Sequence, residues 1–389
     1  MATTFHNGTI FTPTEVIERG AVVVSDEGEI LYVGLLDDAP RSSGLRLDMR
    51  GRILVPGFID IHVHGGGGIT FGALDTMAQD LEGYSEWVTQ HGVAGFLTTI
   101  AAPDAEKLIA IIEAYVGLFE KGVAGAEVLG IHLEGPYLNV EKKGAQNPAW
   151  IRNPLKDEVD AFLEAGKGWI RQVTMAPELP GAGEAASIFR KAGVTVAMGH
   201  TSADYETARA ALSGDWGHVT HTFNAQTGLH HRAPGVIGAI LCSDEITVEL
   251  IADLIHVHPG AMKILSRCVG IDRVVLITDA MAGAGLPDGL YHLMDFPITV
   301  KDDRAIQANG TLAGSVALLN KCVRNTHQRV GLPLHQAVQM ATLNPARAMG
   351  FADRLGSITV GKSASLTVVD DDCNVYLTMV NGKVVYNNL

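Results

Sequence analysis

Two histidines separated by one residue, His62 and His64, close the apolar run Phe58-Ile59-Asp60-Ile61. In an extended strand, residues two apart project from the same face, so both imidazoles can face one ion. Four glycines, Gly65 to Gly68, follow and leave room for a close approach. A bare His-x-His is a weak signal, because buried and surface histidine pairs share this spacing. Its weight depends on partners of the same chemistry downstream, and those partners exist. Ile131-His132-Leu133-Glu134, Met198-Gly199-His200, Val219-Thr220-His221 and Ile277-Thr278-Asp279 each end a strand-like run with an imidazole or a carboxylate. These are the ligand types that suit zinc, iron or manganese. Singly, each has a plainer role: a Glu before Gly-Pro can belong to a turn, and an Asp after a strand can cap a helix. Six residues so placed, His62, His64, Glu134, His200, His221 and Asp279, point to a metal centre.

The elements that must position these six alternate along the middle of the chain. Strand-like runs cover 58–64, 93–101, 127–133, 170–176, 193–199, 218–223, 246–256 and 273–279. Helical stretches lie between most of them, as in Ala73 to His91, Pro103 to Gly122, Ala182 to Ala192 and Ala203 to Leu212. This pattern predicts a (β/α)8 TIM-like barrel, in which the catalytic groups sit at the C-terminal strand ends. A doubly wound sheet would want Gly-x-Gly-x-x-Gly after an early strand, and Gly65 to Gly68 lacks that layout. Both chain ends are rich in β-branched residues, with turn signals at Asp26-Glu27-Gly28 and Asn381-Gly382. They predict one small β-sandwich built from residues 1–55 and 351–389, flanking a catalytic barrel over 56–350.

The chain is 389 residues long and 47% hydrophobic, which is enough for a large core and a smaller companion domain. Its formal net charge of −14 argues against nucleic acid and against anionic membrane surfaces as partners. Any bound anion must therefore meet a local cluster of cations. No apolar run approaches the ~20 residues of a membrane span, and the N-terminus does not resemble a signal peptide. Cys242, Cys268, Cys322 and Cys373 have no paired spacing. They read as free thiols in a reducing cytoplasm, with no cysteine-based zinc site.

Taken together, these motifs are similar to those of the N-acetylglucosamine-6-phosphate deacetylase family of the amidohydrolase superfamily. The resemblance spans nearly the whole chain. It is carried by Val55-Pro56-Gly57-Phe58-Ile59-Asp60, His132-Leu133-Glu134-Gly135-Pro136-Tyr137, Lys142-Lys143-Gly144-Ala145 and Gly199-His200-Thr201. It continues through His221-Thr222-Phe223-Asn224-Ala225, His231-Arg232-Ala233-Pro234-Gly235, Thr278-Asp279-Ala280 and Leu312-Ala313-Gly314-Ser315. The first segment marks only the superfamily; the set marks the family.

The resemblance implies that Glu134, His200 and His221 hold the main metal. Some family members replace the first two histidines with amide residues and carry one ion. Because His62 and His64 are present here, one or two divalent ions per subunit are expected, two being favoured, with Glu134 as the bridge. Zinc is expected first, with iron, manganese or cobalt as alternatives. Such an ion activates water for hydrolysis at neutral pH. Asp279 is implied as the group that takes the water proton and returns it to the leaving amine. Substrate contacts carry over to Ala145, Gln146, Asn224, Ala225, Arg232, the stretch from Asp253 to His256, and Leu312, Ala313 and Gly314. Arg232 and His256 are the cations best suited to a phosphate, and they follow strands six and seven. In the family the phosphate pocket is completed by the neighbouring subunit, so a homodimer is expected.

The sequence departs from the family at two places. Gln146 stands where the family usually has a histidine that polarises the scissile carbonyl, and Gln226 where it tends to have methionine. Both lie near the sugar pocket and bear on which sugar is preferred. His132, His91, Trp87, Trp150, Trp169 and Trp216 read as structural. Three alternatives compete with deacetylation of N-acetylglucosamine 6-phosphate. One is the N-acetylgalactosamine 6-phosphate reaction. Another is a different amidohydrolase, which often wants a lysine at the end of strand four, where this chain has Met175-Ala176-Pro177-Glu178. The last is a non-enzymatic barrel scaffold, which should have lost ligands.

Overall fold

The computed structural model describes residues 2–40, 43–101, 103–293 and 296–389. Eight parallel strands form its centre: Phe58–Asp60, Val93–Ala101, Glu127–Glu134, Ile170–Met175, Thr195–Met198, His218–Val219, Thr247–Ile251 and Val274–Ile277. Each is hydrogen-bonded to the next in chain order. The result is a nearly closed TIM-like barrel, with helices packed outside.

Strand two shows why the apolar runs become barrel strands. All nine of its residues are buried, as a parallel strand covered on both faces requires. The helix Ala105–Phe119 opens at Asp104, whose side chain accepts from the Lys107 amide. It buries Leu108, Ile111, Ile112, Tyr115, Val116 and Phe119, a spacing of three and four residues that turns one stripe onto the barrel. The helix Tyr205–Leu212 is capped in the same way by Asp204.

Among the described residues, no strand ladder joins strands one and eight. The seam between them is closed at the mouth instead. The Asp279 amide donates to the His62 carbonyl and the His64 amide to the Ala280 carbonyl, each at 2.8 Å. Below them the buried Asp60 carboxylate accepts from the Thr278 hydroxyl at 2.6 Å and the Thr278 amide at 3.3 Å.

The two chain ends share one eight-stranded sheet. Ile53–Pro56 pairs in parallel with Thr3–Phe11 and antiparallel with Leu366–Val369. Phe5, Ile10, Val24, Leu54, Leu366 and Met379 are among its buried core residues. Since Ile53–Pro56 leads through Gly57 into strand one, this sheet fixes where the first barrel strand begins.

Two features differ from the sequence reading. Strand one stops at Asp60, so His62 and His64 lie just beyond it. The glycines after them do admit a close approach, and what approaches is the Trp87 indole. A Cβ on Gly66 or Gly67 would lie 2.5 or 2.9 Å from it. A three-stranded antiparallel sheet, Gly289–Leu293, Phe296–Lys301 and Arg304–Ile306, was also not foreseen.

Candidate metal centre

Each of the six expected ligands follows or ends a barrel strand. Glu134 is the last residue of strand three. His200, His221 and Asp279 each stand two residues past strands five, six and eight. All three have left-handed backbones, with φ of 48°, 24° and 51°. That region costs a non-glycine residue about 1–3 kcal/mol and is common where geometry serves function. Here it turns each side chain back over the barrel axis.

The side chains converge. Glu134 Oε1 lies 3.4 Å from His62 Nε2, 3.1 Å from His200 Nε2 and 3.3 Å from His221 Nε2. Its other oxygen lies 3.3 Å from His64 Nε2. Asp279 Oδ1 lies 3.5 Å from His62 Nε2 and 3.3 Å from His64 Nε2. Among the described residues, the donors fall into two groups of three: His62, His64 and Asp279, and Glu134, His200 and His221. A tetrahedral ion with ~2.0–2.1 Å bonds keeps neighbouring ligands roughly 3.3–3.4 Å apart, so both groups fit one. His62 Nε2 is buried, faces this space and, among the described residues, has no hydrogen-bond partner.

The electrostatics agree with the geometry. Burial alone would lower the His64 pKa. Hydrogen bonds to Asp279 and Glu134, and their charges, outweigh it and push the value up to about 9. His62 is likewise raised well above its usual value against its burial, by the charges of Glu249 and Asp279. Burial would raise Glu134 and Asp279, but the surrounding histidines hold both below the usual carboxylate range. The opposed directions show that the buried carboxylates and imidazoles favour positive charge between them, which a divalent cation would supply.

The supporting shell differs from ligand to ligand. His200 Nδ1 is 2.7 Å from the Lys142 carbonyl. His62 Nδ1 is 2.8 Å from the carboxylate of Glu249, on strand seven. Glu249 was missed in the sequence, because a single acid in Thr247-Val248-Glu249-Leu250-Ile251 shows no partner within its own segment. His132 lies deeper, between the Thr99 and Thr174 hydroxyls at 3.2 and 2.8 Å, and burial holds its pKa well below the usual value. Its structural reading agrees with that placement. Glu178, after strand four, is used up by Asn139, Thr201 and Ser202.

Over the centre opens a cavity of about 500 Å³. Ala145, Gln146, Asn224, Ala225, His256, Leu312 and Gly314 line it, together with His64, Glu134, His200, His221 and Asp279. Gln146 donates from its amide nitrogen to Glu134 Oε2 at 2.8 Å. His256 is braced by Asp253, Nδ1 to Oδ2 at 2.6 Å, while the Ile255 and His256 amides donate to the other Asp253 oxygen. Burial would lower the His256 pKa; the Asp253 carboxylate raises it above the usual value.

Two expected contacts fall elsewhere. Ala313 is buried in a small apolar cluster with Met281, Leu293 and Ile298, because the chain turns its neighbour Leu312 toward the cavity. Arg232 is exposed on the loop after strand six and lies against His231, Nη1 to Nε2 at 2.7 Å, so it does not meet His256 within one chain. Lys142 and Lys143 line the cavity and were not singled out as contacts. Their nitrogens reach the carbonyls of Gln226 and Gly144. Their place beside Ala145 was the available signal.

An eightfold barrel with this imidazole and carboxylate set defines a class, and the sequence matches that class as a whole. Residues 53–385 match the model of the amidohydrolase family, and the chain belongs to that family. It is similar to the N-acetylglucosamine-6-phosphate deacetylase of Vibrio furnissii, 38% identical over 95% of this chain and 92% of that one. The N-acetylgalactosamine-6-phosphate deacetylase of Escherichia coli O157:H7 is 36% identical over 85% of this chain and 87% of its own length. A mutant N-acetyl-D-glucosamine-6-phosphate deacetylase from Mycobacterium smegmatis, solved in complex with N-acetyl-D-glucosamine-6-phosphate, superposes with a TM-score of 0.91. It is 34% identical, over 100% of this chain and 99% of that one.

Proposed function

We infer that this chain is a metal-dependent hydrolase. It removes the acetyl group of N-acetylglucosamine 6-phosphate, giving glucosamine 6-phosphate and acetate, in amino sugar catabolism. The observation that carries the reading is Glu134, whose two oxygens lie within 3.4 Å of four histidines beneath a sugar-sized cavity. A bound divalent ion supplies Lewis acidity, activating water and polarising the amide carbonyl. We propose that Glu134, His200 and His221 hold one ion and His62, His64 and Asp279 a second, zinc being first in order. Asp279 accepts the proton of the attacking water. The new C–O bond forms, the C–N bond breaks, and Asp279 returns the proton to the leaving amine. The imidazole of His256, its pKa raised by Asp253, is the cation within the chain for the 6-phosphate.

We further propose a homodimer. What supports it is Arg232, a guanidinium suited to phosphate that lies outside its own chain's cavity. The catalytic unit is taken as residues 56–350, with both chain ends forming its supporting sandwich. A cytoplasmic location is proposed from the free thiols Cys242 and Cys268, both exposed. No helix among the described residues is long and apolar enough to cross a membrane.

The N-acetylgalactosamine phosphate is a second reading, favoured by the identity to the Escherichia coli enzyme and by the two glutamines Gln146 and Gln226 near the sugar pocket. A complete donor set speaks against a scaffold. Acetate release from a panel of N-acetylated sugars, each with and without the 6-phosphate, tests all of these. Fastest turnover of N-acetylglucosamine 6-phosphate is expected. No release from any phosphorylated sugar overturns the proposal.

A further inference from the structure

Beneath the metal centre the barrel encloses a carboxylate that the reaction itself does not use. Glu249 is fully buried, and its two oxygens are shared among four donors from three other segments, those of strands one, four and six. Oε2 lies 2.8 Å from His62 Nδ1 and accepts the His221 backbone amide at 3.0 Å. Oε1 accepts from Gln172 Nε2 at 2.8 Å and lies 3.3 Å from His218 Nε2. A carboxylate can only accept, so its contact assigns the Nδ1 proton of His62 and directs the Nε2 lone pair upward, between Glu134 and Asp279. The same oxygen holds the backbone of His221 at the point where its φ is 24°.

We propose that Glu249 is a positioning residue that sets the affinity of the His62, His64 and Asp279 group for a divalent cation, by fixing the tautomer and tilt of His62. This rests on the metal reading above and assigns a cause to it. Among the described residues, the other group meets the Glu249 carboxylate through one backbone amide, that of His221, while His200 is held from the opposite side by the Lys142 carbonyl. Loss of the carboxylate should therefore fall unequally on the two groups. Glutamine at 249 keeps the volume, but its amide nitrogen must meet a donor from His62, Gln172 or His218, whichever way it turns.

The test is cobalt(II) binding to metal-stripped protein, followed by equilibrium dialysis and by visible absorption, on the full chain. Wild type is expected to take up two equivalents. Glu249→Gln should bind the first normally and the second about 10–100-fold more weakly, the usual effect of losing a carboxylate behind a ligating histidine. Combining Glu249→Gln with His62→Gln should weaken the second equivalent no further than His62→Gln alone, because one residue acts through the other. Glu249→Asp, which keeps the charge but withdraws it, should lie between wild type and Glu249→Gln and covers the case in which the glutamine variant does not fold. A Glu249→Gln or Glu249→Asp protein that binds both equivalents like wild type overturns the proposal, as do penalties that multiply in the double variant. A wild type that binds no cobalt overturns the metal reading itself, and one that binds a single equivalent overturns the two-group division.

Discussion

His62 and His200 serve the same centre but are held from opposite directions. His62 follows strand one with its side chain fully buried, and it is fixed from below by a carboxylate in the barrel interior. His200 stands past strand five on a left-handed backbone, and it is fixed from above by the carbonyl of Lys142. That carbonyl belongs to the loop lining the cavity. The difference separates two kinds of dependence. One donor group answers to the packing of the core, and the other to the loop over the cavity. Glu134 spans both, since its two oxygens reach histidines of each group.

Glu134→Gln should abolish the distinction altogether. Elemental analysis should find both positions depleted, and activity should fall by more than the ~10–100-fold of an outer-shell change. Full metal occupancy in that variant would refute the shared role. Asp279→Asn should leave substrate affinity near normal while kcat drops about 10²–10⁴-fold, the scale of lost general acid–base help. Steady-state kinetics with separate kcat and KM values will check it, and an unchanged kcat would move the proton to another group.

Gly144→Ala addresses the loop-held side alone. Gly144 has φ of 56°, and an added Cβ would stand 3.2 Å from His200 Cε1. The left-handed alanine costs about 1–2 kcal/mol of fold stability, and the crowding of the His200 ring should weaken metal binding roughly tenfold, the low end for a disturbed support of a ligating histidine, at the Glu134, His200 and His221 position. Equal weakening of both positions by titration calorimetry would contradict the separation.

The smallest expected effect concerns pH. Asp253 raises the His256 pKa, so the cation persists above the ~6.5 of a free imidazole. A raised histidine contributes fully below its unfolded pKa and is lost as pH climbs through the folded one. Hence KM for the phosphorylated sugar should be lowest at acidic pH and rise as pH climbs through the raised His256 pKa. Asp253→Asn should move that rise to lower pH; a pH profile of KM unchanged by the substitution would exclude His256 as the phosphate cation.

Much of this was legible in the chain because polar ligands interrupt apolar strands. His62, Glu134, His200, His221 and Asp279 each break a run that otherwise reads as buried, so their positions announced themselves. Glu249 breaks its run in the same way but has its partners on other strands, so nothing in its own segment explained it. Gly66 and Gly67 read as room for a close approach without saying what approaches, which is Trp87, from the following helix. The sheet over 289–306 escaped notice for a local reason. Its second turn is made by Asp302 and Asp303, at φ of 52° and 60°, without the glycine that usually marks such a hairpin. Arg232 has the chemistry for an anion, but a loop residue's direction is not written in its type, and this one lies against His231, outside its own chain's cavity.

The seam between strands one and eight gives the centre a place in the order of folding. His62 and His64 follow the first strand and Asp279 the last, and Asp60 bonds to Thr278 across 218 positions of chain. A donor group assembled from the two ends of a barrel forms only when the circle is complete. An ion held across that joint would act as a latch, raising the cost of opening there while leaving strand two, which supplies none of the six donors, untouched. In hydrogen exchange, the amides of His64 and Asp279, which carry the joint's backbone bonds, should gain protection on metal loading, whereas those of strand two should exchange at the same rate with or without it.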